Sequence, residues 1–150
     1  MRVLGIDLGT KTCGFAITDE SEVIASGLEN FIFPKENDFN SAIDKIKEYL
    51  KTYKIGGFVL GYPLKISGEK SQRTLMVEDF CKMLLENFDL PIMYVNEQKS
   101  TIRAEEVMIN AGMTRQKRKQ HKDKLAAVII LQDYLDYYRG KWDEYSIRNN

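Results

Sequence analysis

Apolar positions along the chain change their period several times, and each change marks an element. Val3 to Ile6 is a continuous apolar run that ends on Asp7. Gly9-Thr10-Lys11 supplies turn chemistry and Phe15-Ala16-Ile17 forms a second run, so the opening reads as a β-hairpin. A run this apolar is buried on both faces, which puts the first strand in the middle of its sheet. After a turn at Ser21-Glu22, Val23 to Phe33 reads as a third strand stopped by Pro34. These three strands form an antiparallel meander.

The period then becomes helical. Asn37 or Asp38 caps a helix whose stripe is Phe39, Ile43, Ile46, Leu50 and Tyr53, stopped by Gly56-Gly57. Phe58-Val59-Leu60 is a short buried strand closing on Gly61. Tyr62-Pro63 is held extended by the proline, and Leu64 to Gly68 reads as loop. A second helix is expected from about Glu69 to Phe88, with Met76, Phe80, Met83 and Leu84 inward. Pro91 opens the strand Ile92 to Val95, which ends at Asn96-Glu97. A third helix starts at Ser100 or Thr101 and stops at Gly112. Thr114 to Lys122 is polar and basic and reads as the approach to a last helix. Asp123 opens that helix, which runs to about Arg139 with Ala126, Ala127, Ile130 and Tyr134 on the side of Asp123. The tail from Gly140 is polar and expected to fray, with Trp142 and Tyr145 as candidates to dock. The order β-β-β-α-β-α-β-α-α implies right-handed parallel crossovers after an antiparallel edge. The expected fold is therefore α/β, a five-stranded mixed sheet with helices on both faces.

Composition changes this picture little. At 150 residues, 43% hydrophobic and 29% charged, the chain is expected to be one globular domain spanning 1–150. A chain of this size buries roughly 70% of its unfolded surface and needs no staples. Formal net charge is zero, so attraction to a polyanion must come from local charge. Cys13 and Cys81 stand apart among apolar residues and read as buried thiols of a reducing compartment. No leader pattern and no membrane-length apolar run is present, which points to a cytoplasmic protein away from membranes.

The chemistry lies in three acids. Asp7 ends the first strand, Glu97 follows the strand Ile92 to Val95, and Asp123 opens the last helix. If the two strands are parallel neighbours, Asp7 and Glu97 emerge at the edge where open α/β sheets place their sites. Three converging carboxylates repel one another, and Mg²⁺ or Mn²⁺ resolves that repulsion with oxygen ligands. Two such ions about 3.5–4 Å apart activate water against a phosphodiester. Each acid also has a bland reading. Asp7 could be a turn former before Gly9, and Glu97 and Asp123 could be first-turn acids serving helix dipoles.

Arg115, Lys117, Arg118, Lys119, Lys122 and Lys124 put six cations within ten positions around Asp123. This is a phosphate-contacting cluster or simply a solvated loop. His121 reads as another member of it. Gly61 would let the backbone approach substrate, or would only mark a strand end.

Four motifs in order then resemble one family. Gly5-Ile-Asp-Leu-Gly-Thr-Lys-Thr-Cys-Gly-Phe-Ala-Ile-Thr-Asp19 resembles the opening motif of the YqgF-type (RuvX-like) proteins. Gly61-Tyr-Pro-Leu with Gly68 is similar to the second motif. Asn96-Glu97-Gln98 followed by Ser100-Thr101 is similar to the third, and Lys122-Asp123-Lys-Leu-Ala-Ala to the last. The family is described both as pre-16S rRNA nucleases and as Holliday-junction-resolvase-like proteins of the ribonuclease H-like superfamily. The resemblance implies a ribonuclease H-like fold, and a catalytic, metal-binding set of Asp7, Glu97 and Asp123 with Mg²⁺ or Mn²⁺ in a two-ion site. It implies an endonuclease acting on structured nucleic acid, with trimming of the 5′ end of the small-subunit rRNA precursor favoured and branched DNA the alternative. Lys11, Arg115, Lys117, Arg118, Lys119 and Lys122 are the expected nucleic-acid contacts, with Thr10 and Gly61 near the substrate. The ribosome is a candidate partner, and the chain would act as a monomer or weak homodimer. The chain departs from the family pattern at Asn96, Gln98 and Thr12, where Asp, Arg and Arg are usual.

Two readings from other classes compete. Gly5-Ile-Asp-Leu-Gly-Thr also resembles the phosphate-binding hairpin of actin-like and Hsp70-like ATPases, although clamping a nucleotide takes two such domains. A non-catalytic nucleic-acid binder would use the basic segment alone.

Overall fold

The computed structural model describes residues 1–65, 67–97 and 100–147, without the side chains of 100 and 101. Gln98 and the Ser100-Thr101 side chains of the third motif lie outside the described residues. The strands are β1 (Arg2–Leu8), β2 (Thr12–Thr18), β3 (Ala25–Ile32), β4 (Ile55–Tyr62), β5 (Ile92–Asn96) and β6 (Ser146–Ile147). The helices are α1 (Phe39–Thr52), α2 (Gln72–Asn87), α3 (Ser100–Asn110), α4 (Arg115–Asp133) and α5 (Trp142–Tyr145), with a π-helical turn at Tyr134–Tyr138 after α4.

The sheet runs β3-β2-β1-β4-β5-β6. β1, β4 and β5 are parallel, β2 and β3 form the antiparallel meander, and β6 pairs antiparallel with β5. The apolar runs of β1 and β4 are buried along nearly their whole length, as central strands require. Period-2 alternation splits the core. Leu4, Ile6 and Leu8 pack with Phe58, Leu60 and Ile92 against Ile43 and Ile46 of α1 and Phe80 and Leu84 of α2. Val3, Val59 and Met93 face the other way, onto Ala127, Ile130 and Leu131 of α4. α3 lies against α4 on that side.

Several expectations need correction. The sheet has six strands, not five. The tail beyond Gly140 does not simply fray: Trp142 lays its ring over Gly57 of β4, 2.8 Å from where a β-carbon there would sit, and donates from its indole nitrogen to the Tyr134 hydroxyl at 3.1 Å. That docking brings Ser146–Ile147 alongside β5. α2 starts later than expected, because Ser71 caps it in a capping box with Thr74. Its inner face is Val77, Phe80, Cys81 and Leu84; Met76 and Met83 are only partly buried. The basic stretch 115–122 is helical, capped by the Thr114 hydroxyl accepting from the Lys117 amide. Asp123 therefore sits inside α4 rather than at its start.

Among the described residues no helix is long and apolar enough to cross a membrane, and Cys13 and Cys81 are buried free thiols.

α4 comes very close to the sheet because β1 and β2 present small residues to it. A β-carbon at Gly5 would lie 3.2 Å from the Ala127 carbonyl oxygen. One at Gly14 would overlap the Asp123 carbonyl itself. Gly14→Ala is therefore expected to push α4 off β2 and to destabilise the fold by about 1–3 kcal/mol, the usual range for overpacking. Urea unfolding measures this; a loss below about 0.5 kcal/mol, as for an unconstrained surface site, would contradict the close approach.

Candidate active site

The site begins with the parallel strands. Asp7 is the next-to-last residue of β1, and Glu97 follows β5 directly. These strands are not neighbours, since β4 runs between them. All three are parallel, so their carboxyl ends still share one edge. The last registered pair of β1 and β4 is Ile6 with Leu60, which leaves Gly61 beside Asp7. A β-carbon at Gly61 would stand 2.5 Å from Glu97 Oε2. Gly61 sits within β4 and leaves room for the Glu97 carboxylate to reach across to Asp7.

On the other flank of Asp7 the partner in register is Gly14 of β2. Its missing side chain admits the backbone of α4 at Asp123. Glycines therefore bracket Asp7, one for each of the other two acids.

Asp7 is 1% exposed and Glu97 6%. The two carboxyl groups lie side by side, and the Arg73 guanidinium reaches both. Burial, then the adjacent Glu97 charge, pushes the Asp7 carboxyl well above the usual carboxylate range; Arg73 opposes this and Asp123 adds to it. Asp123 is less buried, and the Thr12 hydroxyl donates to its carboxylate. The structure thus joins two of the three acids, with the third within electrostatic reach but tied to Thr12. Among the described residues no three acidic, histidine or cysteine groups stand close enough to hold an ion together. The dipole reading of Asp123 fails, since the residue is not in the first turn of α4.

Arg73, at the start of α2, went unremarked in the sequence. Its Nη2 lies 3.3 Å from Asp7 Oδ1 and 3.3 Å from Glu97 Oε1, and donates to the Leu8 carbonyl at 3.2 Å. One signal could have revealed it: a cation two positions past the Ser71 cap opposes the helix dipole, and so asks for nearby anions.

The cations spread along one track. Lys11 and Lys122 line a cleft of about 320 Å³ with Thr10, Thr12, Arg73 and Asp123. Lys122 also lines a groove of about 810 Å³ with Arg115, Arg118, Lys119 and Glu105. Lys117 is exposed but lines neither. Lys124 packs its stem over Gly27 of β3. His121 lines another cavity together with Lys124 of the cluster, Met108, Met113 and Leu125.

Asp7 and Glu97 suit a hard divalent ion. They supply oxygen donors, they are shielded from water, and the Arg73 guanidinium offsets only part of their repulsion.

Residues 1–137 match the family described as RuvX: Holliday junction resolvase. The chain belongs to this family. A relative from Mycoplasmopsis synoviae (strain 53), named "Putative pre-16S rRNA nuclease", is 45% identical over 139 residues, covering 93% of this chain and 100% of its own. Two solved structures share the fold at 16% identity: T. thermophilus RuvC in complex with Holliday junction substrate (TM-score 0.59, 98% of this chain and 99% of that one), and the Fowlpox virus resolvase with its Holliday junction DNA (TM-score 0.61, 91% and 97%). The architecture is accordingly the ribonuclease H-like one of the RuvC-like resolvases, and the RuvX-family chain is a nuclease.

The raised Asp7 carboxyl sets a pH dependence for the metal-free protein. A carboxyl raised on folding contributes stability that is full below the unfolded value near 3.8 and is lost as pH rises through the folded value. In chelator, Asp7→Asn is expected to be more stable than wild type at neutral pH, with the gap closing in acid. Urea midpoints across pH measure this; a less stable Asn variant at neutral pH would contradict it.

Proposed function

We propose that this chain is a divalent-metal-dependent endonuclease that trims the 5′ end of the small-subunit rRNA precursor. Residues 1–150 act as one nuclease domain in the cytoplasm, on nucleic acid that is free or ribosome-bound. The observation that carries the reading is the buried contact of Asp7 with Glu97 at the carboxyl ends of parallel strands. The name of the 45%-identical relative supports rRNA as substrate. Branched DNA is the second reading, favoured by the likeness to RuvC bound to a Holliday junction.

Asp7 and Glu97 would hold the metal, and Asp123 would join them by giving up its bond to Thr12. Bound Mg²⁺ or Mn²⁺ would supply Lewis-acid polarisation of the scissile phosphate and ease the attack of water on it. The chain's own residues do the rest. Lys11 and Lys122 flank the cleft and draw a phosphate past carboxylates that would otherwise repel it. Arg115, Arg118 and Lys119 carry the backbone onward along the groove, while Lys117 adds charge at its margin. Thr10 borders the cleft where the nucleotide enters.

The deciding experiment is cleavage of a pre-16S rRNA 5′ fragment and of a four-way DNA junction, each with Mg²⁺ and Mn²⁺. The rRNA fragment is expected to be cut by wild type and not by Asp7→Asn. Preferential cutting of the junction would move the substrate to DNA. Binding without metal, unchanged in Asp7→Asn and without cleavage, would leave only a binding protein.

Binding should also weaken steeply with salt. Replacing Lys119 by Gln is expected to lower the slope of log affinity against log salt by about 1, on cut and uncut sequences alike. An unchanged slope would remove Lys119 from the phosphate track.

A further inference from the structure

Arg73 is placed oddly for an ordinary salt bridge. A single terminal nitrogen serves three oxygens, from Asp7, Glu97 and the Leu8 carbonyl, at 3.2–3.3 Å. It makes no two-nitrogen fork to either carboxylate, the arrangement that makes Arg–carboxylate pairs strong. Three oxygens converging on one positive point is how oxygen ligands surround a cation, at hydrogen-bond rather than coordination distance.

Nor is the arginine locked there. Its side chain is 43% exposed. It also lines a second cavity, of about 650 Å³, with Thr10, Gln72, Met76 and Asp79, where a guanidinium can lie in water beside a carboxylate. Its position near the start of α2 opposes the dipole of its own helix. What keeps it in the site is the negative charge of Asp7 and Glu97.

We propose that Arg73 is a positioning residue that acts as the resident cation of the metal-free site and gives way when a divalent ion enters. This rests on the divalent-ion reading of the same carboxylates. Before ion entry, Arg73 offsets part of the repulsion between Asp7 and Glu97 and keeps both aimed at one point. A divalent ion would bring two charges to the point that the guanidinium occupies, and Arg73, repelled, would swing toward the second cavity. Arg73 and the ion therefore compete, and the metal affinity of the wild-type chain is lower than its carboxylates alone would give.

The test is calorimetric titration of the chelator-stripped full chain with Mn²⁺, in wild type, Arg73→Gln and Arg73→Lys. Arg73→Gln is expected to bind Mn²⁺ on the order of tenfold more tightly, because a like charge beside the ion is gone. Arg73→Lys, which keeps the charge, should stay near wild type. In chelator Arg73→Gln should melt earlier than wild type, and should gain more from added Mn²⁺. Equal or weaker binding by Arg73→Gln, with wild type binding normally, would overturn the competition and make Arg73 a plain structural partner. Wild type that binds no Mn²⁺ would instead overturn the metal-site reading itself. The same competition can be read without a charge-removing variant. In ¹⁵N-arginine-labelled wild type titrated with diamagnetic Mg²⁺, the Arg73 guanidinium signal, assigned through Arg73→Lys, should move as the ion binds. A signal that keeps its metal-free position at saturation would overturn the proposal.

Discussion

Two carboxyl groups pressed together out of water are the constraint on which the rest of this structure turns. Burying one ionised carboxylate is expensive, and burying two in contact is more so unless a proton, a cation or hydrogen bonds compensate. Here burial and the adjacent Glu97 raise the Asp7 carboxyl, and the Arg73 guanidinium reaches both groups. A fold does not hold such a pair for stability's sake. The arrangement stores a demand for positive charge at one point on the sheet edge, and that demand is the basis of the site's chemistry.

The surrounding architecture serves this point. β4 lies between the strands that carry the pair, so Glu97 can meet Asp7 only by crossing over β4. Gly61 allows the crossing. On the opposite side α4 must bring Asp123 near the same edge, and Gly14 and Gly5 let the helix settle onto the sheet. Because α4 carries both Asp123 and the cations around it, one helix supplies the third acid and the charge that attracts phosphate. Lys122 belongs to both the acidic cleft and the basic groove, so it links the two.

Much of this was legible from the chain. Asp7 and Glu97 were marked because each is an acid at the end of an apolar run, and an apolar run in an α/β order ends at the sheet edge. The stripe Asp123, Ala127, Ile130, Tyr134 has helical spacing, which fixed the face α4 turns to the sheet. What sequence could not show was pairing order. Periodicity says that β1 and β5 are buried, not that β4 separates them, so the room that Gly61 leaves for Glu97 has no signature in the sequence. Residues 115–122 carry no apolar stripe, because those turns of α4 project over solvent, and they read as loop. β6 is two residues long and forms only because Trp142 docks on Gly57, a tertiary event with no local signature. Arg73 was missed because the start of α2 was set too early, at Glu69. From Ser71 onward the same arginine sits in the first turn, where its charge needs an explanation.

The central claim is that the Asp7–Glu97 pair is built to receive a divalent ion. Anomalous diffraction from crystals soaked in Mn²⁺ addresses it most directly. The account predicts a manganese peak bonded to both carboxylates at about 2.1 Å, a distance typical of small oxygen-bound divalent ions. Manganese bound only elsewhere on the chain, with Arg73 still against Asp7 and Glu97, would contradict it.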